Sequence, residues 1–170
     1  MAYQIVVSDT TAITHLAKIG ALNILHQLYT TIYIPDAVYV ELTSHGLKNP
    51  GSYEAQTYPW IKRVSVKDKP LVDTLLKTLD AGESEAIALA KQMNADLLII
   101  DEKLGRGHAK KMEITIVGMV GVLLSAKKKG VTLKVQPYLD RLITTGFKLS
   151  PKIYNMALDA AGENEAFKKA

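Results

Sequence analysis

The chain has no cysteine among its 170 residues. Disulfides, thiolate-bound zinc and a cysteine nucleophile are therefore excluded. Histidine is scarce as well: His15, His26, His45 and His108 fall at no HExxH-like or comparable spacing, which argues against an imidazole-rich zinc site. Apolar runs such as Leu97-Leu98-Ile99-Ile100 are far shorter than the roughly 20 residues that span a bilayer. The opening Met1-Ala2-Tyr3-Gln4 lacks the basic residues and apolar stretch of a secretory signal. A cytoplasmic protein without a membrane segment is the expectation. No internal repeat, low-complexity tract or Pro/Gly-rich linker divides the chain, so residues 1–170 read as one domain. With 48% hydrophobic and 22% charged residues, it can build an ordinary core without covalent staples.

What is present follows a βα rhythm. Gln4–Ser8, Thr31–Ile34 and Leu97–Ile100 are short β-branched or aliphatic runs that read as buried strands, and Ile114–Val117 is another. Trp60–Val66 reads as an edge strand. Helical spacing is expected over Thr10–Ile19, Ala21–Tyr29, Asp36–Thr43, Leu71–Leu79, Glu83–Met93, Glu102–Met112, Val120–Lys129, Pro137–Thr145 and Pro151–Ala161. Asp80-Ala81-Gly82 reads as a break, and Ser44–Pro59 as a loop holding a short helix. Alternating strands and helices predict a three-layer α/β/α sandwich around a mostly parallel central sheet. Ligands of such sheets bind beyond the carboxyl ends of the strands, where strand order reverses. Asp9 and Asp101 each end a predicted buried strand.

Each acid also has an ordinary structural role open to it. Asp9 and Asp101 could cap the helices that follow them. Glu83 could favour a helix dipole from the first turn, and Glu85 should turn to solvent. Glu41 lies among Val38, Tyr39, Val40 and Leu42 on an amphipathic helix. The combination is what points to chemistry. Two acids at strand ends and two on flanking helices can share one cleft, and packed like charges need a cation. Magnesium or manganese, hard ions that take oxygen ligands and keep waters, suits a chain without cysteine. Such an ion activates water and holds a phosphodiester in line. Neither a DxDxT pair, nor a GxxxxGK[ST] loop, nor a dinucleotide glycine pattern around Gly105-Arg106-Gly107 is present.

The net charge is +4, and its distribution is uneven. Between Lys103 and Lys134 stand eight basic residues and one acid, Glu113. That run is either a polyanion-binding patch or a set of solvated helix faces.

Four segments resemble the PIN-domain family, which includes toxin ribonucleases of the VapC type. Ile5-Val6-Val7-Ser8-Asp9-Thr10-Thr11 is similar to its first motif, and Ile34-Pro35-Asp36 through Glu41-Leu42 to its second. Gly82-Glu83-Ser84-Glu85 matches the third, with Glu83 where many members carry Asp, and Leu97-Leu98-Ile99-Ile100-Asp101 the fourth. The tail around Gly146-Phe147-Lys148-Leu149-Ser150-Pro151 looks like an uncharacterised toxin-like branch, with helices over about 134–165 as its extension. Two positions depart from the common pattern: Ile99 stands where many members have Thr or Ser, and Lys103 where many have a further acid.

The resemblance implies a magnesium- or manganese-dependent endoribonuclease. Asp9, Glu41, Glu83 and Asp101 would be its catalytic metal ligands. Thr10, Thr11, Arg106, Lys110 and Lys111 would contact substrate. RNA, a second copy in a homodimer and a small antitoxin are the implied partners. Two rivals share these residues: a catalytically silent PIN-like module binding nucleic acid or protein, and a metal-dependent phosphatase for small substrates.

Overall fold

The computed structural model of the protein describes residues 3–164. Five short strands, β1 (Val6–Ser8), β2 (Ile32–Ile34), β3 (Ile61–Arg63), β4 (Leu97–Ile99) and β5 (Ile116–Val117), pair in parallel in the order β3-β2-β1-β4-β5. The strands alternate between two cores. Val6, Ile32, Ile34, Leu97 and Ile99 face one side; Val7, Leu98 and Ile100 face the other. Two apolar faces require two layers of cover, which is why a parallel sheet lies inside a sandwich.

The first core is closed by α1 (Thr10–Lys18), α2 (Asn23–Tyr29), α8 (Met119–Lys128), α9 (Gln136–Thr144) and α10 (Pro151–Ala161), through residues such as Leu16, Leu25, Leu123, Leu139 and Leu158. The second is closed by α5 (Lys69–Leu75), α6 (Ala81–Gln92) and α7 (Lys103–Lys111), through Leu75, Ile87 and Ala109. At the flank, α3 (Asp36–Thr43) packs against α6 and against the short α4 (Ser52–Thr57).

Most expected elements are present, with shifted ends. Trp60–Val66 narrows to β3, an edge strand. The helix expected over Leu71–Leu79 instead starts at Lys69, because the Asp68 carboxylate accepts the Leu71 N–H at 3.1 Å. That helix ends early, at Leu75, so the break expected at 80–82 lies instead over residues 76–80 and closes on Asp80. Its carboxylate caps the Glu83 N–H at 2.8 Å, so Ala81 and Gly82 belong to the first turn of α6.

The C-terminal helices share the main core and are stapled to it by one acid. Glu163 bonds Lys127 Nζ at 3.0 Å, and it accepts the Val135 N–H at 2.8 Å and the Gln136 N–H at 3.1 Å. Lys127 Nζ also donates to the Ala161 carbonyl at 2.6 Å. Burial alone would raise the Glu163 pKa, but the two amides and the ammonium together hold it below its ordinary value of 4.5. A depressed carboxylate stabilises the fold above its unfolded pKa and loses that contribution as pH falls through the folded one. Glu163→Ala should therefore cost about 2 kcal/mol at neutral pH, the scale of a charged hydrogen-bond acceptor lost from a half-buried cluster. Denaturant melts of wild type and variant should converge as pH falls below the ordinary glutamate value.

Candidate metal centre

Asp9 directly follows β1, and Asp101 lies two residues beyond β4. These two strands are neighbours, paired Val6 to Leu97 and Ser8 to Ile99. The chain moves from β1 toward β2 and β3 on one side, then crosses to β4 and β5 on the other. Strand order thus reverses between β1 and β4, and both aspartates stand at the carboxyl end of that switch point.

Neither aspartate is neutralised by the helix that follows it, although the Thr11 and Ala12 amides lie close enough to Asp9 to favour its charged form. Asp9 occupies the N-cap position of α1, but its side chain makes no capping hydrogen bond. It is 2% exposed, and its Oδ1 is buried without a hydrogen-bond partner. The capping role open to Asp101 falls to Glu102, whose Oε2 accepts the Leu104 and Gly105 N–H groups at 2.7 and 3.1 Å. Asp101 reaches instead to α8, where Oδ1 accepts the Met119 N–H at 2.8 Å and Oδ2 stays buried and unpaired. Gly118 makes this possible, since a Cβ there would lie 2.8 Å from both Asp101 Oδ1 and Arg106 Nη1.

Glu41 reaches the same region from α3. One carboxylate oxygen accepts the Gly82 N–H at 3.1 Å, and the other takes a short hydrogen bond from the Thr10 hydroxyl. A Cβ on Gly82 would sit 2.7 Å from Glu41, so the first turn of α6 forgoes the roughly 1 kcal/mol that alanine contributes to a helix and gains a close carboxylate. Glu85, expected in solvent, accepts the Ala37 N–H at 3.3 Å instead. The antiparallel pair α3 and α6 therefore exchange carboxylates at their N-terminal turns. The Asp36 carboxylate anchors the start of α3 through Arg63 Nε at 2.6 Å and Ser65 Oγ at 2.7 Å.

The charges press on one another. Burial pushes the Asp9 carboxyl well above its ordinary range, and Asp101 and Glu83 push it further, with the Ala12 and Thr11 amides opposing. Glu83 is raised by burial, then by Asp80, Glu102 and Glu41, while the Asp80 backbone N–H favours its ionised form. Asp101 is raised by burial, and the Met119 amide and the Arg106 guanidinium pull it down. Among the described residues, neither ion pair (Arg63–Asp36 or Lys127–Glu163) involves the four acids.

The expected basic contacts separate along α7. Arg106 lies at the acidic end, where Nη1 donates to the Ile100 carbonyl at 2.9 Å. Lys110 and Lys111 occupy the last turn of α7, at the far edge of the sheet. Lys127 and Lys128 end α8 at that same far edge, and Lys127 is held by Glu163. The run from Lys103 to Lys134 is thus not one patch. Thr10 orients Glu41, whereas Thr11 lines a cavity of about 720 Å³ that opens beside Asp101. His15, Phe147 and Lys148 also line it. They did not stand out among the sequence-derived site residues, although Phe147 and Lys148 lie in the distinctive tail segment.

A family model for the PIN domain matches residues 5–163. The chain belongs to the PIN-domain family. The PIN fold is generally that of nucleases. The matched span includes α9 and α10, the helices expected as an extension. Among solved structures, the chain is similar to a PilT N-terminus domain protein from the hyperthermophilic archaeon Sulfolobus solfataricus P2. The TM-score is 0.55 and the identity 22%, over 72% of this chain and 93% of that one, a likeness of fold. No curated protein matches the chain.

The donor set of this PIN domain fits a hard divalent cation. Asp9 Oδ1 and Asp101 Oδ2 are buried oxygens without protein donors, on carboxyls that resist ionisation. Among the described residues, no three carboxylate or imidazole groups close around a point as they stand. Glu41 is held back by Thr10 and Gly82, and like charges stay apart until neutralised. Asp9→Asn removes the most strongly repelled charge. In chelator it should raise stability by about 1 kcal/mol, the gain common when a functional strain is relieved. Manganese should raise the melting temperature of the wild type and leave that of the variant unchanged, as calorimetry with and without the ion will read.

Proposed function

We propose that this PIN domain is a divalent-metal-dependent endoribonuclease of the toxin–antitoxin kind. The observation that carries the reading is the pair of unpartnered, buried carboxylate oxygens on Asp9 and Asp101 at the switch point of the sheet. Asp9 and Asp101 would hold the ion directly, with Glu41 and Glu83 as the outer or water-bridged carboxylates. When bound, magnesium or manganese supplies an activated water and neutralises charge on the phosphodiester.

The protein's own groups do the rest. The Thr10 hydroxyl fixes one oxygen of Glu41, and the Gly82 amide fixes the other. Arg106, tethered through Nη1 to Ile100, keeps its remaining N–H donors for a phosphate beside Asp101. A small antitoxin and a second copy of the chain are the protein partners proposed. The silent-module alternative draws on one feature, the Glu41 carboxylate already satisfied within the protein.

The test incubates structured and unstructured RNAs with manganese, magnesium or chelator, using wild type, Asp9→Asn and Asp101→Asn. Cleavage should need metal and fall in each variant by more than the roughly 10- to 100-fold that outer-shell changes cost. Full activity in both variants would overturn the assignment, and binding without cleavage in any metal would favour the silent module. Hydrolysis of small phosphomonoesters alone would indicate a phosphatase. Metal must displace a proton from Asp9. Since that carboxyl titrates well above its ordinary 3.8, cleavage should rise with pH across a higher range than an exposed aspartate would set.

Salt dependence tests the division of the basic run. With Lys103, Arg106 and Lys148 as the cations near the site, single-stranded RNA affinity should fall with a log–log slope of about −2, from ~0.7 per phosphate contact. Lys110→Glu with Lys111→Glu should leave that slope unchanged in filter-binding titrations, and a clear loss would return the far edge to the RNA path.

A further inference from the structure

The cavity beside Asp101 is not explained by metal binding. It is walled by α1, α7, the end of β5, the start of α8 and the segment at 146–149 that joins α9 to α10, and the carboxylates of Asp101 and Glu102 line one side of it. Its volume of about 720 Å³ falls in the usual range for small-ligand pockets. Three features sort its lining. Val117, Val120 and Phe147 make an apolar slot. Arg106 and Lys148 bring cations to it, and Lys148 is exposed. His15 and Phe147 meet in a T-shaped contact with ring centroids 5.2 Å apart, and because Nδ1 is buried, Nε2 is the ring nitrogen left to an occupant.

The imidazole separates a base from a bare anion as the occupant. Burial first, and the Lys18 charge second, hold His15 below its ordinary pKa of 6.5. At neutral pH the ring is uncharged, with one nitrogen a donor and the other an acceptor. Such a ring can serve a donor or an acceptor on the edge of a heterocycle, whereas it lacks the charge that favours a phosphate. An aromatic face, an uncharged hydrogen-bonding edge and a nearby guanidinium are the three recognitions that one nucleotide unit offers.

We propose that this cavity is a single-nucleotide subsite. It holds the base next to the scissile phosphate against Phe147 with its edge on His15, and Arg106 and Lys148 take its phosphate. The role in cleavage rests on the nuclease reading above; the binding does not. Because Phe147 and Lys148 come from the α9–α10 connection, the C-terminal helices act here as the source of base preference as well as core.

The test uses the full chain in chelator, titrated calorimetrically with the four nucleoside 5′-monophosphates and with inorganic phosphate. At least one nucleotide should bind with Kd below about 1 mM and at least about tenfold more tightly than phosphate. His15→Ala and Phe147→Ala should each weaken it about tenfold, the scale of one lost base stack. The exposed Lys148→Glu should also weaken it, in a protein whose melting temperature is unchanged. Nucleotides binding no better than phosphate, or equally well in all three pocket variants, would overturn the subsite even if metal-dependent cleavage persists. Nucleotide binding with these sensitivities in a protein that cuts no RNA would sustain the subsite and remove the nuclease reading.

Discussion

The structure turns on one unfavourable burial. Asp9 is carried into the interior by β1, a strand whose Val6 and Val7 are fully buried on opposite faces, so the residue that follows cannot reach bulk water. Asp101 comes near it from the end of β4, half-buried and lining the adjoining cavity. A protein cation or a helix amide at each oxygen would have removed the cost, as happens around Glu163. At the sheet switch point one oxygen on each aspartate is left without a donor. Stability is traded locally for uncompensated negative charge, a pattern common to functional sites.

Surrounding parts limit how far that repulsion spreads. Glu41 and Glu85 point their charge at helix N-terminal amides, where the backbone dipoles favour it. Glu102 does the same for α7. The site is therefore graded, from carboxylates satisfied by protein at its outer edge to carboxylates unsatisfied at its centre. Two glycines mark that grading, since Gly82 and Gly118 lack the methyl group that would push Glu41 or Asp101 away. Neither needs glycine for its dihedral angles; the constraint is space.

Ile99, where the family often places a hydroxyl, is fully buried in β4 and faces the first core. The additional polarity next to the acids comes from another quarter, the α9–α10 connection with Lys148 and the α7 side chain Arg106. These C-terminal helices thus border the acidic centre as well as filling the core through Leu139, Leu142 and Leu158.

The amino-acid sequence by itself determined the alternation of strands and helices, the two-sided burial of β1 and β4, and the position of an acid at the end of each. Those features are local: β-branched and aliphatic runs, helical spacing and caps act over a few neighbours. It also limited the side chains open to chemistry, because a chain with no cysteine and scattered histidines has mainly carboxylate and hydroxyl oxygen to offer. Only the tertiary structure decided which acids are satisfied. Whether Glu102 or Asp101 caps α7, whether Glu85 meets solvent or the start of α3, and which lysines lie near the site all depend on helix polarity and side-chain reach across dozens of residues. The cavity of His15, Arg106 and Phe147 belongs to the same class. Its walls lie more than 130 residues apart in sequence, and packing against a shared core is what brings them together.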